Sequence, residues 1–237
     1  MARYSPCLRD NEIKQARSES LRAKDTGIAP ENSSLHLQLI ALEEDIKRLK
    51  QLSRIADKVA MKRNELLPKY MPYVERYLAE GDVFANQVFA YVVIWLFDTE
   101  QFDQAIEWAF LCIEQGQPTP DSVKRDWPHF AADAVLAWCE VQAERGNSVE
   151  PYCSTVFEKV SNEWRLNEKL TAKWFKFCGL LLLRDIHGKA LPSSVESTDK
   201  LQQATELLMK AQEFNPKCGV KTVLEKIDMR LRALTDS

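Results

Sequence analysis

The segment Lys62-Arg63-Asn64-Glu65-Leu66-Leu67-Pro68-Lys69-Tyr70-Met71-Pro72-Tyr73-Val74 separates a charged amphipathic stretch from a run of apolar ones. Proline removes a backbone donor and biases the residue before it away from helical angles, so two prolines four apart predict a helix stop and an extended elbow. The charge balance changes across the same segment. Before Tyr70 there are 14 Lys/Arg against 10 Asp/Glu, and from Tyr70 onward 18 against 25. A cationic arm therefore precedes an acidic body, although the net charge of the 237-residue chain is only −3. Screening confines each field to about 8–10 Å, so a basic surface survives on a globally acidic molecule and nucleic acid stays open as a partner.

Upstream of the segment, Leu35, Leu39, Leu42, Ile46, Leu49, Leu52, Ala56 and Val59 recur at steps of three and four. This spacing predicts a long, coiled-coil-like helix within 34–69, whose seam either mediates oligomerisation through Leu35, Leu39, Leu42, Ile46, Leu49, Leu52 and Val59 or packs on its own chain. Its second half presents Lys47, Arg48, Lys50, Arg54, Lys58, Lys62 and Arg63 against only Asp57 and Glu65. A merely solvated face usually interleaves the two signs at four-residue spacing. The cation excess is thus a candidate phosphate-binding surface, with a solvated face as the alternative. Residues 1–33 lack a sustained apolar stripe and read as a disordered or loose arm.

Downstream, 70–237 reads as an all-helical body, and seven glycines are few for a sheet-rich protein of this length. A short helix through Tyr73 and Leu78 ends at Gly81, and Asp82 is placed to cap an almost wholly apolar helix from Val83 to Phe97. Asp98 or Thr99 caps the next, where Phe102, Ala105, Ile106, Ala109, Phe110 and Ile113 form one stripe ended by Gly116. Further helices are read through Phe130–Val141, 149–160 and 164–184. A loop over 187–197 leads to a final pair with stripes Leu201/Ala204/Leu208/Ala211 and Val220/Val223/Leu224/Ile227/Leu231. Two hairpins have small residues nested as in tetratricopeptide units, but about ninety residues separate them, so no regular solenoid is predicted.

The chemistry-bearing signals are sparse. No phosphate-cradling GxxxxGK[ST] or dinucleotide glycine pattern occurs, and no catalytic residue, metal or cofactor is expected. His36, His129 and His187 stand alone. Glu43-Glu44-Asp45 and Asp98/Glu100/Asp103 are carboxylate groups near expected helix starts, where they complement the positive dipole end. The six cysteines (Cys7, Cys112, Cys139, Cys153, Cys178, Cys218) show no zinc or redox spacing and read as reduced core residues. The start lacks a signal-peptide core, and the apolar run Val88–Phe97 is too short for a bilayer, so a cytoplasmic protein with no membrane partner is expected.

Four pieces together resemble the small terminase subunit of temperate bacteriophages with contractile tails: Lys62-Arg63-x-Glu65-Leu66-Leu67-Pro68-x-x-x-Pro72-Tyr73-Val74; Trp95-Leu96-Phe97-Asp98-Thr99; Ala105-Ile106-Glu107; and Gly219-Val220-Lys221…Glu225-Lys226-Ile227. The likeness runs from about Leu35 to Leu234. It implies a part of a DNA-packaging motor that binds double-stranded viral DNA at its packaging site. It further implies a homo-oligomeric ring that recruits and regulates a large terminase subunit carrying ATPase and nuclease. Members of this family are often labelled the endonuclease subunit, yet these residues show no nuclease constellation, so a non-catalytic role is expected. The resemblance further implies a lysine-rich tail in relatives, against which more of the DNA contact is expected from the N-terminal arm and the basic helix here, or else weaker DNA binding. The alternative function is a helical-repeat adaptor that binds a protein partner without nucleic acid.

Overall fold

The apolar periods of the sequence become helices in the computed structural model, which describes residues 34–235. No strand occurs among the described residues, and the chain divides into two compact units, Met1–Gln101 and Phe102–Ser237. The expected N-terminal arm, 1–33, lies outside the described residues. No helix among them is long and apolar enough to cross a membrane.

In the first unit, α1 (Ser34–Gln51) and α2 (Ile55–Met61) are separate helices. The single long helix expected from the seam is interrupted at 52–54, with Arg54 extended at φ −91° and ψ 136°. A tertiary contact explains the break. Asp45 accepts a hydrogen bond from the Tyr70 hydroxyl at 2.9 Å, although the two are 25 residues apart. An unbroken helix would hold them about 37 Å apart at 1.5 Å per residue. The chain has to turn between them, and the polar stretch around Ser53 is where it does so.

The proline elbow, by contrast, is helical. One turn of π-helix (Lys62–Leu66) runs directly into α3 (Leu67–Glu80), with Pro68 in the first turn of α3 and Pro72 inside it. The Leu67 amide reaches back five residues to the Lys62 carbonyl, which widens the turn just where Pro68 has no donor to offer. Asn64 and Pro68, whose carbonyls would ordinarily receive the two missing donors, are exposed, so water can satisfy them. Gly81 then ends α3 at φ 76°.

Helix α4 (Gln87–Asp98) starts later than expected, because Asn86 rather than Asp82 caps it. The Asn86 Oδ1 accepts the Phe89 amide at 3.1 Å. Val83 and Phe84 are accordingly exposed, while Val88, Phe89, Val92, Val93, Trp95 and Leu96 are buried as predicted. The α4 core packs on Tyr70, Val74 and Tyr77 of α3, with the Tyr70 and Trp95 rings 5.8 Å apart. Thr99 closes α4 instead of opening the next helix, its hydroxyl donating to the Trp95 carbonyl at 2.8 Å. Glu100 follows at φ 59°, in the left-handed region that L residues avoid. The expected hairpin of Val83–Phe97 with Phe102–Ile113 straddles the division between the two units.

The second unit contains α5 (Phe102–Glu114), α6 (Trp127–Glu144), α7 (Tyr152–Asn162), α8 (Glu168–Leu181), α9 (Thr198–Phe214) and α10 (Lys221–Thr235). Helices α8 and α9 pack most extensively. Gly179 allows this, since a Cβ there would lie 2.9 Å from the Leu208 side chain and 3.2 Å from the Ala204 carbonyl. A core of Leu183, Leu201, Ala204, Leu208, Val220 and Ile227 joins the end of α8 to α9 and α10.

His129 has a structural task that its isolation in sequence concealed. Its Nε2 accepts the Asn167 amide at 3.0 Å, which places the ring proton on Nδ1, 2.6 Å from the Asp126 carboxylate. Asp126 caps α6 and Asn167 caps α8, so one imidazole joins two helix starts. Cys112, Cys139, Cys153 and Cys178 are buried and free. Burial pushes the Cys112 thiol far above its ordinary range.

Candidate nucleic-acid interface

The seven cations of the basic stretch divide by what they touch. Lys47 pairs with Glu44 at 2.7 Å, and Arg48 reaches both Asp45 at 2.9 Å and Glu65 at 2.8 Å. Lys62 pairs with Asp98 at 2.6 Å, with only 14% of its side chain exposed, and Arg63 donates to the Thr99 carbonyl at 2.6 Å. Lys50, Arg54 and Lys58 remain, and among the described residues none of these three makes an ion pair. They bracket the break between α1 and α2 instead of lining one continuous helix face. The crook of that break is a groove of about 430 Å³ in which Arg48, Asp57 and Glu65 mix charges of both signs.

Asp45 organises the neighbourhood. The residue is 4% exposed and accepts from Lys69 at 2.7 Å, from Tyr70 at 2.9 Å and from Arg48. Burial alone would raise its pKa, but hydrogen bonds from Lys69, Tyr70 and Arg48 outweigh that effect and hold the carboxyl below its ordinary value. The same contact acts on Tyr70 in the opposite sense. Burial first, then the neighbouring carboxylate, pushes its hydroxyl well above the usual tyrosine range. The carboxylate group Glu43-Glu44-Asp45 is therefore no helix-dipole device alone: Asp45 joins α1 to α3, while Glu44 holds Lys47.

Two pieces of sequence that stood apart in the chain meet in this unit. Lys62-Arg63 grips Asp98-Thr99, so the turn that enters α3 is fastened to the end of α4. Periodicity alone could not reveal this, because the partners are 36 residues apart. The Asp98 carboxylate is thereby engaged by an ammonium group. Among the described residues no three His, Cys, Asp or Glu side chains gather as a metal site.

Of the seam positions, Leu42 is buried within the chain at 1% exposure, whereas Leu35, Leu39, Ile46, Leu49, Leu52 and Val59 stay half-buried. Leu37, Ile40 and Ile55 add exposed apolar surface, with Ile55 80% exposed. The seam is consumed internally around Leu42 and left open toward its ends.

These features define an all-helical protein with three unpaired cations and open apolar positions around a break near its N-terminal side. The chain belongs to the phage small terminase subunit family, which matches residues 39–169 and implies a role in packaging phage DNA. It is 37% identical over 226 residues to the "Probable terminase, endonuclease subunit" of Haemophilus phage HP1, covering 95% of this chain and 80% of that one. It is 29% identical over 195 residues to the "Terminase, endonuclease subunit" of Escherichia phage P2, covering 82% and 73%. No solved structure matches the chain.

Proposed function

We propose that this protein is the subunit of a phage terminase that engages double-stranded viral DNA at its packaging site, self-associates into a ring, and recruits and regulates the large ATPase-nuclease subunit without cutting DNA itself. One observation carries the DNA reading. Lys50, Arg54 and Lys58 keep their charges free of carboxylates among the described residues, while Lys47, Arg48 and Lys62 are paired. Cations held in place without internal partners are available to phosphates, and each phosphate neutralised releases condensed counterions. The half-buried seam residues Leu35, Leu39, Ile46, Leu49, Leu52 and Val59 supply the surface for self-association, which would multiply the cations offered to one duplex.

The test is duplex binding by the full chain as a function of salt. Reversing Lys50, Arg54 and Lys58 to Glu should weaken binding at low salt and flatten the salt dependence by about 2–3 logarithmic units per decade, close to 0.9 per phosphate lost. Unchanged affinity and slope would remove the basic stretch from the proposal. Mass measurement, free and with a packaging-site duplex, tests assembly in the same samples, and a lone protomer in both would refute the ring.

A further inference from the structure

We propose that the unit Phe102–Ser237 carries a second phosphate-binding surface, formed by lysines of α8 and of the turn from α9 into α10, that receives the backbone of duplex DNA. This rests on the duplex-binding reading above, and it lies in the part of the chain expected to be acidic. Lys169, Lys173 and Lys176 are spaced i, i+4 and i+7 on α8, so they share one face. The Lys176 ammonium donates to the Cys218 carbonyl at 2.7 Å and lies 3.9 Å from where a Cβ on Gly219 would stand. That contact seats the turn after α9, which holds Lys217 and leads into Lys221 at the start of α10, against the lysine face.

Among the described residues none of these five lysines forms an ion pair, although Glu168 and Glu225 lie close in sequence. Elsewhere in the same unit Lys159, Arg125 and Arg232 hold carboxylates, whereas Lys124, Arg145 and Lys200 do not, so it is their gathering on one face that sets these five apart. From Lys169 to Lys176 the helix rises about 10 Å. A duplex presents roughly six phosphates over that length.

A protein partner is the weaker fit. Protein interfaces centre on aromatic, Met or Arg anchors and are poor in lysine; no large apolar side chain of α8 is exposed, and Phe214 beside the turn is stacked on Phe175. Only Lys169 of the five falls within the residues matched by the family, 39–169.

The experiment measures binding of the full chain to a labelled duplex of about 30 base pairs across a salt series. The probe length spans about three helical turns, enough for either surface. The combined variant Lys169→Glu, Lys173→Glu, Lys217→Glu should lose at least tenfold in affinity at low salt, with a salt slope shallower by about 2–3. The neutral variant with Gln at the same positions should move the same way by less, which guards against a folding artefact. Reversal of Lys50, Arg54 and Lys58 serves as the reference. A loss confined to that reference variant overturns the second surface and leaves the proposed function standing; a loss confined to the α8 variant supports the second surface and removes only Lys50, Arg54 and Lys58 from the duplex-binding reading. Polyglutamate binding that depends on these lysines, while duplex binding ignores them, would also overturn the proposal.

Discussion

Replacing Asp45 with Ala should loosen the first unit by about 1–3 kcal/mol, and the structure says where the loss falls. Lys69 and Arg48 are about half exposed and can turn to water once the carboxylate is gone. Tyr70 cannot. It is 0% exposed, and contact between its ring and Trp95 holds the hydroxyl where its partner used to be. A buried donor left without an acceptor costs about 1–3 kcal/mol. Tyr70→Phe removes that donor, so Asp45→Ala in the Tyr70→Phe background should cost under about 1 kcal/mol, a coupling of about 1–2 kcal/mol. Hydrogen exchange of the α4 amides, Val88–Phe97, with urea unfolding in parallel, reads the loss in the unit concerned. The acid limb is a second readout. The Asp45 pKa is depressed on folding, so its contribution is complete above the ordinary value of 3.8 and disappears as pH falls through the lower folded value. Asp45→Asn should remove that part of the pH dependence. An Asp45→Ala cost below about 0.5 kcal/mol, or the same cost in both backgrounds, would refute the clamp.

Three further outcomes are expected. Glu100→Gly should stabilise by about 0.5–1 kcal/mol in urea unfolding, since Glu100 occupies the left-handed position that Gly116 and Gly146 fill after α5 and α6. Lys62→Met should cost about 1 kcal/mol of stability, discounted because Asp98 is 40% exposed, while changing duplex affinity less than Lys58→Met does. His129→Ala should cost about 1–2 kcal/mol and speed amide exchange at the starts of both α6 and α8, because its ring bonds to Asp126 and Asn167 at once.

The helical class and most of the helices were legible because each depends on local periodicity. Val88, Phe89, Val92 and Trp95 are buried because α4 is apolar nearly all round, whatever packs on it. Gly81 and Gly116 end helices because glycine reaches positive φ without a Cβ penalty. What failed were inferences in which a local rule met a distant partner. The seam from Leu35 to Val59 obeys one helical period and still breaks at 52–54, because Asp45 has to reach Tyr70. Pro68 and Pro72 break the rule against helix interiors, and a π-turn and the exposure of Asn64 and Pro68, which lose their donors, make this tolerable. Asp82 was a sound cap by type, yet Asn86 is buried and already placed, so the helix starts there.

The same distinction bears on the residues that made the family recognisable. Lys62 and Arg63 sit in the proline segment and Asp98 and Thr99 end the tryptophan segment, and in the folded unit each pair is the other's partner. Glu65 in the first segment holds Arg48, and Trp95 in the second packs on Tyr70. These segments therefore specify how α1, α3 and α4 are fastened together, a task that fixes residue identity on both sides of each contact. Phosphate binding imposes a looser requirement, because a cation need only reach a regular polyanion and can be moved along a helix with little loss. Lys50, Arg54 and Lys58, like the lysines of α8, lie outside the two segments. The residues of the proline and tryptophan segments build the first unit, and Lys50, Arg54 and Lys58 are cations that its fold leaves without a carboxylate.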